Sequence, residues 1–168
     1  WNTKYDNKNK VPASKINTAI KEYNGWDNTY NPAFTIHNVI KAESEFFPPF
    51  KFAANYNPGT TLTGKIQNEK WFLGGLGEWE LTLNKLEVSS LTNSGDKKKL
   101  NYTNDLAYNL VRILFEQADG SPIDGFYWTS DCHGLVHTIV MRAGGELKKE
   151  VSLKSTDSGL TRAFIRFK

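Results

Sequence analysis

The sequence predicts an α+β fold. Two stretches alternate in the manner of β-strands, Phe34 to Ala42 and Trp79 to Leu91, whereas apolar residues recur at helical spacing over 103–117 and 132–143. The length of 168 residues and the hydrophobic share of 39% suit one domain with a buried core. We therefore expect a small antiparallel sheet, formed mainly from residues 34–91, packed against the two helices.

The predicted domain spans 1–168 and divides into four parts. These are an N-terminal arm with a short helix, a β-rich part, a helical part and a C-terminal tail, over 1–33, 34–101, 102–150 and 151–168.

Local signals place the elements of the first half. Ser14 to Tyr23 has the spacing of a short helix, capped by Ser14 and ended by Asn24-Gly25. Pro48-Pro49 predicts an irregular stretch at 46–50. Three glycines are expected to bend the chain before the Trp79 strand: Gly74, Gly75 and Gly77.

The second half is predicted to be helical up to the tail. A loop at 118–130, rich in Gly, Pro, Asp and aromatic residues, separates the 103–117 helix from the 132–143 helix. Gly144-Gly145 would end the second helix. In the polar tail, Ala163-Phe164-Ile165 predicts a final strand.

Composition excludes several classes of protein. The chain has 21 basic and 18 acidic residues, a net charge of +3, which is weak evidence for binding nucleic acid, and we expect none. No apolar run approaches the roughly 18 residues that span a bilayer, so we expect no stable membrane insertion. One cysteine, Cys132, excludes a disulfide framework and a multi-cysteine zinc site.

The position of Cys132 gives it a possible chemistry. Asp131 is a favoured helix N-cap, so Cys132 would lie in the first turn, where the helix dipole lowers a thiol pKa and favours the reactive thiolate. The alternative is a small buried apolar residue, as most free cysteines are.

The segment Asp131-Cys132-His133-Gly134-Leu135-Val136 resembles the D-C-x-G-L-V signature of the NlpC-type cell-wall peptidases, which are papain-like cysteine hydrolases. The likeness covers about 103–150. It implies a papain-like fold with Cys132 as the nucleophile that attacks an amide or ester carbonyl.

One histidine, His37, precedes Cys132 in the chain, which is the order found in circularly permuted relatives of this family. The resemblance then implies His37 as the general base, with Glu45 or Asn55 orienting its imidazole, and Glu43 open as another candidate. One of His133 and His137 stays open as an alternative base.

The implied substrate is a peptidoglycan stem peptide, with other amides or esters open. Tyr127, Trp128 and Asp131 are expected to contact it. We expect no cofactor and a trimmed domain that is secreted, periplasmic or in the cell wall. An effector of this kind would have an immunity protein as partner.

Three other interpretations stay open at this point. Cys132, His133 and His137 could ligate a metal, but the glutamate of H-E-x-x-H is absent, and we predict no metal. Residues 102–143 also resemble the RES family of NAD-degrading toxins, which would give roles to Ser130 and Glu45. The third is a non-catalytic binding domain with a groove lined by Trp71, Trp79 and Trp128.

Overall fold

The structure, a computed structural model, contains both helices and antiparallel strands, and the predicted α+β class is confirmed. It describes residues 19, 21–34, 38–85, 92–93, 100–102, 112–117, 121, 123–133, 137–143, 147–153 and 159–166. No helix in these ranges is long and apolar enough to cross a bilayer.

The helices are short and come mainly from the first half of the chain. They are α1 (Gly25–Tyr30), α2 (Pro48–Ala54) and α3 (Leu76–Lys85). Residues 112–117 are also helical. Three 3-10 turns connect the first elements, at Pro32–Phe34, Lys41–Glu43 and Gly64–Ile66.

The strands form two antiparallel sheets. The smaller sheet pairs β1 (Phe72–Leu73) with β7 (Ala163–Phe164). The larger has the order β2-β3-β6-β5-β4. Its strands are Thr92–Asn93, Leu100–Tyr102, Gly125–His133, His137–Ala143 and Leu147–Leu153, numbered β2 to β6 in chain order.

Strand β4 joins the two sheets. One of its edges pairs with β5, and the other bonds to the segments beside the small sheet. Ser130 N donates to the Gly74 carbonyl at 2.9 Å, and Trp128 N donates to the Leu160 carbonyl at 2.9 Å. These bonds satisfy backbone groups that an edge strand would otherwise leave open.

The apolar core lies where α2 meets β1 and β4. Its central cluster is Phe47, Phe50, Ala53, Leu73 and Trp128, and Val39 and Ala163 pack against it. The Phe47 and Phe50 rings meet edge to face, with centroids 6.1 Å apart, which is a favoured aromatic geometry.

The expectation that the sheet comes mainly from 34–91 is wrong. The alternation at Trp79, Leu81 and Leu83 fits a strand, but Leu76, Trp79 and Leu83 also fit the i, i+3, i+7 spacing of a helix. The structure has helix α3 there, with those three residues buried and Leu81 exposed. The apolar pattern fits both periods, and the packing of α3 selects the helical one.

The helix predicted over 132–143 is also wrong. Residues 125–133 and 137–143 form the strands β4 and β5, which pair from Gly125↔Ala143 to His133↔His137. Thr138, Ile139 and Val140 are β-branched, and such residues favour strands. The predicted loop at 118–130 therefore holds the first part of β4, and β6 runs from the predicted helical part into the predicted tail.

Two further expectations in the first half are wrong. Described residues of Phe34 to Ala42 form no strand, because Asn38 has a left-handed φ of 52° and a 3-10 turn begins at Lys41. Helix α2 begins at Pro48, where an irregular stretch was predicted, since proline is tolerated in a first helical turn.

The final strand is confirmed as β7 at Ala163–Phe164. Most of the helix predicted at 14–23 lies outside the described residues, as do Gly144-Gly145 and much of 103–117. The glycines Gly74 and Gly75 follow β1 and lead into α3 rather than into a strand.

Candidate functional site

A cleft of about 610 Å³ opens between the outer face of α3 and the β1–β7 pair. Its size falls within the range of small-molecule sites. It is lined by Tyr23, Phe72, Glu78, Leu81, Thr82, Lys85, Phe164, Ile165 and Arg166.

Helix α3 supplies the cleft from the side opposite the core. The four cleft residues on it, Glu78, Leu81, Thr82 and Lys85, follow the i, i+3, i+4, i+7 spacing of one helical face. A second stripe, Leu76, Trp79 and Leu83, is buried in the core. One face of the ten-residue helix α3 thus packs in the core, and the opposite face lines one wall of the cleft.

Two apolar residues of the cleft are exposed although they are large. Tyr23 is 51% exposed and Leu81 is 47% exposed, whereas the neighbouring Phe72 is buried. Exposed apolar residues that converge on one concave surface are typical of binding sites, while scattered ones are ordinary.

The opposite wall carries a positive charge held by aromatic rings. The Arg166 guanidinium carbon lies 5.9 Å from the ring centroids of Trp26 and Phe72. Such cation–π contacts position a guanidinium without neutralising it. Lys85, at the end of α3, adds a second positive charge to the lining.

Glu78 lies at the inner end of the cleft and is tied to the backbone. Its Oε1 accepts the Gly25 N–H at 3.0 Å and its Oε2 accepts the Gly75 N–H at 2.9 Å. Burial raises the pKa of this carboxyl, and these bonds together with the nearby Arg166 charge oppose the shift. A carboxyl with a raised pKa in a cleft is a candidate functional group.

A second carboxyl, Asp131, lies behind Glu78 and is only 3% exposed. Its Oδ2 accepts the Leu76 N–H at 2.6 Å. Its pKa is raised from 3.8 to about 7, mainly by burial and also by the nearby Glu78 charge, while the bond from Leu76 opposes the rise. Both carboxyls flank Gly75, where an added Cβ would lie 3.0 Å from Asp131 Oδ2 and 3.1 Å from Glu78 Oε2.

An irregularity in β4 directs Asp131 inward. The register with β5 shifts between Trp128 and Cys132, which leaves residues 129–131 out of regular pairing. Buried Asn28 donates its Nδ2 to the Ser130 Oγ at 3.1 Å and to the Ser130 carbonyl at 3.3 Å, which fixes this segment against α1. Bulges commonly re-aim a side chain in this way.

The predicted nucleophile is in a strand. Cys132 lies in β4 opposite Thr138 of β5, so it has no helix N-terminus, and the dipole argument for a lowered thiol pKa no longer applies. His37, the predicted base, lies outside the described residues. The roles of both residues stay predictions.

The predicted orienting residues lie together on the surface. Glu45 forms an ion pair with Lys51, and Asn55 donates its Nδ2 to the Lys51 carbonyl at 2.8 Å. Both are exposed and belong to the end of α2 or the turn before it. No described contact links them to β4.

Tyr127 and Trp128, predicted to contact a substrate, are each only 4% exposed. Trp128 belongs to the core cluster, and the Tyr127 ring packs on Trp79 with centroids 5.5 Å apart. Ser130, the serine of the NAD-toxin interpretation, is fully buried. The roles of Tyr127, Trp128 and Ser130 stay predictions, and all three side chains lie in the interior of the protein.

The described residues contain no group of three or more His, Cys, Asp or Glu side chains that could hold a metal ion. No family model, curated protein or solved structure matches the chain.

The sequence does not indicate Leu81, Lys85 and Arg166 as site residues. A strand over 79–91 makes Leu81 a core residue, because it alternates with its neighbours in the same direction as Trp79 and Leu83. A helical reading of 76–85 would have put Leu81 on the face opposite Leu76 and Leu83, which is the signal that could have found it.

Proposed function

We propose that this chain is a binding domain whose cleft takes an amphipathic ligand with an anionic group. The observation that carries the proposal is the joint lining of the cleft: exposed apolar Tyr23 and Leu81 beside positive Lys85 and Arg166. Apolar pockets with a few convergent polar groups are the usual sites for small ligands.

The lining assigns a part of the ligand to each wall. An aliphatic or aromatic body would cover Leu81 and Tyr23 and remove their apolar area from water. A carboxylate, sulfonate or phosphate would approach Arg166 and Lys85, which can donate charge-assisted hydrogen bonds. Because those two cations are exposed, affinity should fall as salt increases.

Titration with dodecanoate tests this proposal. We expect saturable binding that weakens about 10-fold, or ~1.4 kcal/mol, in Leu81→Ser and in Lys85→Gln, since the first removes apolar lining and the second removes one of the two cations. Both residues are exposed, so the free energy of unfolding should stay within about 0.5 kcal/mol of wild type.

Ile113→Ser is the matched control, since Ile113 is also exposed but lies on the 112–117 helix outside the cleft lining. Equal loss of affinity in all three variants, or saturable binding that none of them weakens, would contradict the proposal. Failure of dodecanoate and of an aromatic sulfonate such as anilinonaphthalene sulfonate to bind would contradict it too.

A permuted papain-like amidase remains a second proposal, carried by the Asp131 to Val136 signature. It requires the Cys132 thiolate and the His37 imidazole within hydrogen-bond reach. If it is right, Cys132→Ala and His37→Ala each abolish cleavage of purified muropeptides; equal turnover in wild type and Cys132→Ala would rule it out. NAD loss that depends on Ser130 would instead favour the toxin interpretation.

A further inference from the structure

A second, smaller cleft lies away from the first, beside α1 and the end of α2. Its volume is about 350 Å³, at the lower end for ligand sites. The residues that give it chemical character are Tyr30, Glu43, Asn55, Glu69, Lys70 and Trp71. None of them belongs to the cleft beside α3.

The aromatic part of this second cleft is fixed in place. Tyr30 donates its hydroxyl to the Trp71 carbonyl at 2.5 Å, and the Tyr56 ring meets Trp71 at 79° with centroids 5.0 Å apart. Trp71 is only half-buried, and Tyr56 beside it is exposed. A held, partly open indole offers an apolar surface at little entropic cost.

The polar part consists of planar acceptors and donors. Two carboxylates, Glu43 and Glu69, and the Asn55 amide line the same cleft as the indole. The Asn55 Nδ2 donates to the Lys51 carbonyl at 2.8 Å, and this bond fixes the orientation of the amide. Carboxylate oxygens accept hydrogen bonds from hydroxyl donors, and an amide both donates and accepts.

The charges narrow the class of ligand. Two carboxylates against one lysine disfavour an anion, and the polar lining disfavours a purely apolar molecule. The site's own cation already covers one aromatic ring, since Lys70 Nζ lies 5.2 Å from the Tyr30 centroid. With anions, cations and purely apolar molecules disfavoured, the ligand that fits this lining is a neutral ring with hydroxyls at its edge and C–H groups on its face.

We propose that this second cleft binds a neutral saccharide, with one sugar face on Trp71 and its hydroxyls bonded to Glu43, Asn55 and Glu69. The residues of this site are separate from those of the cleft beside α3, so either binding proposal can be wrong while the other is right.

Tryptophan fluorescence titrations with neutral oligosaccharides of glucose, mannose, galactose and N-acetylglucosamine, each used separately, test the proposal. We expect at least one to bind at millimolar concentration or below. Trp71→Ala and Glu43→Gln should each weaken that binding about 10-fold, because they remove the stacking surface and one acceptor. Isothermal calorimetry measures the Trp71 variant, whose fluorescence differs.

The controls separate this site from a general loss of structure. Glu116→Gln removes an exposed carboxylate elsewhere, in an ion pair with Arg112, and should leave saccharide affinity unchanged. Glu43 is exposed on a 3-10 turn, so Glu43→Gln stays informative even if Trp71→Ala does not fold. The proposal would be overturned if none of the four saccharides binds, or if the Glu43 and Trp71 variants bind them as tightly as wild type. Binding of tetramethylammonium at this cleft in place of a saccharide would also overturn it.

Discussion

At the scale of single residues, Asp131 and Glu78 stand out because both are buried carboxyls with a raised pKa. Their carboxyls are buried on either side of Gly75 and accept three backbone N–H bonds from two segments, one at Gly25 and the other at Gly75 and Leu76. Buried carboxyls persist where such bonds replace water. These two therefore join α1, the β1–α3 turn and β4 at one point.

The raised pKa of Asp131 predicts a pH-dependent stability. A folded-state pKa of about 7, above the ordinary 3.8, means that the folded state holds this proton more tightly than the unfolded chain. The stabilisation is full below about pH 4 and is lost as the pH rises to about 7; Glu78 acts in the same direction. Three pKa units correspond to at most about 4 kcal/mol.

Asp131→Asn tests this effect, because an amide oxygen can still accept the Leu76 N–H but does not titrate. We expect the free energy of unfolding of the wild type to fall between about pH 5 and about pH 8 by about 1–3 kcal/mol more than that of the variant, measured by urea denaturation. Asp124→Asn, at an exposed aspartate, is the control. Parallel pH profiles for wild type and Asp131→Asn would contradict the account.

At the scale of elements, α3 shows what the sequence can and cannot predict. Its apolar residues fit both a strand and a helix, and only burial of Leu76, Trp79 and Leu83 together decides for the helix. The β4–β5 pair shows the reverse error, because the apolar spacing after Cys132 fits a helix, whereas paired strands form. Periodicity over short apolar runs leaves this ambiguity, and tertiary pairing resolves it.

The start of α3 depends on a close approach that only glycine allows. A Cβ on Gly77 would lie 2.1 Å from the Glu22 carbonyl oxygen, which is a backbone atom and cannot turn aside. We expect Gly77→Ala to lose about 1–3 kcal/mol of stability despite alanine's higher helix propensity, because the segment before α1 must move.

The midpoint of urea unfolding measures the effect of Gly77→Ala. Gly59→Ala is the comparison: Gly59 has φ 74° and nothing within 4 Å of an added Cβ, so only the backbone cost of about 1 kcal/mol applies. A Gly77→Ala variant as stable as wild type would show that α3 does not meet the Glu22 carbonyl.

At the scale of the whole molecule, the cleft depends on segments that are far apart in the chain. Tyr23, α3 and the β7 segment meet there because β1 pairs with β7, Phe72 opposite Phe164, and because β4 bonds to Gly74 and Leu160. The sequence predicts the β7 strand but not its partner, since pairing partners leave no periodic signal. For the same reason Arg166 and Leu81 could not be predicted to share a site.

The sequence predicted the α+β class, but it identified less of the site. Asp131, Tyr127 and Trp128 were selected as substrate contacts, and all three are buried in the structure. The exposed cleft residues were missed because exposure follows from which face of α3 meets the core. Of the functions that the sequence left open, the binding domain is the one that the geometry of the cleft supports.

The most direct test of this account is a nuclear magnetic resonance titration of the ¹⁵N-labelled chain with dodecanoate. We expect saturable shifts of the backbone amides in 76–85 and 163–166, which form the two walls of the cleft, with little change in 112–117. Saturable shifts confined to other segments, or no shifts from a chain whose spectrum shows that it is folded, would contradict the assignment of this cleft as the binding site.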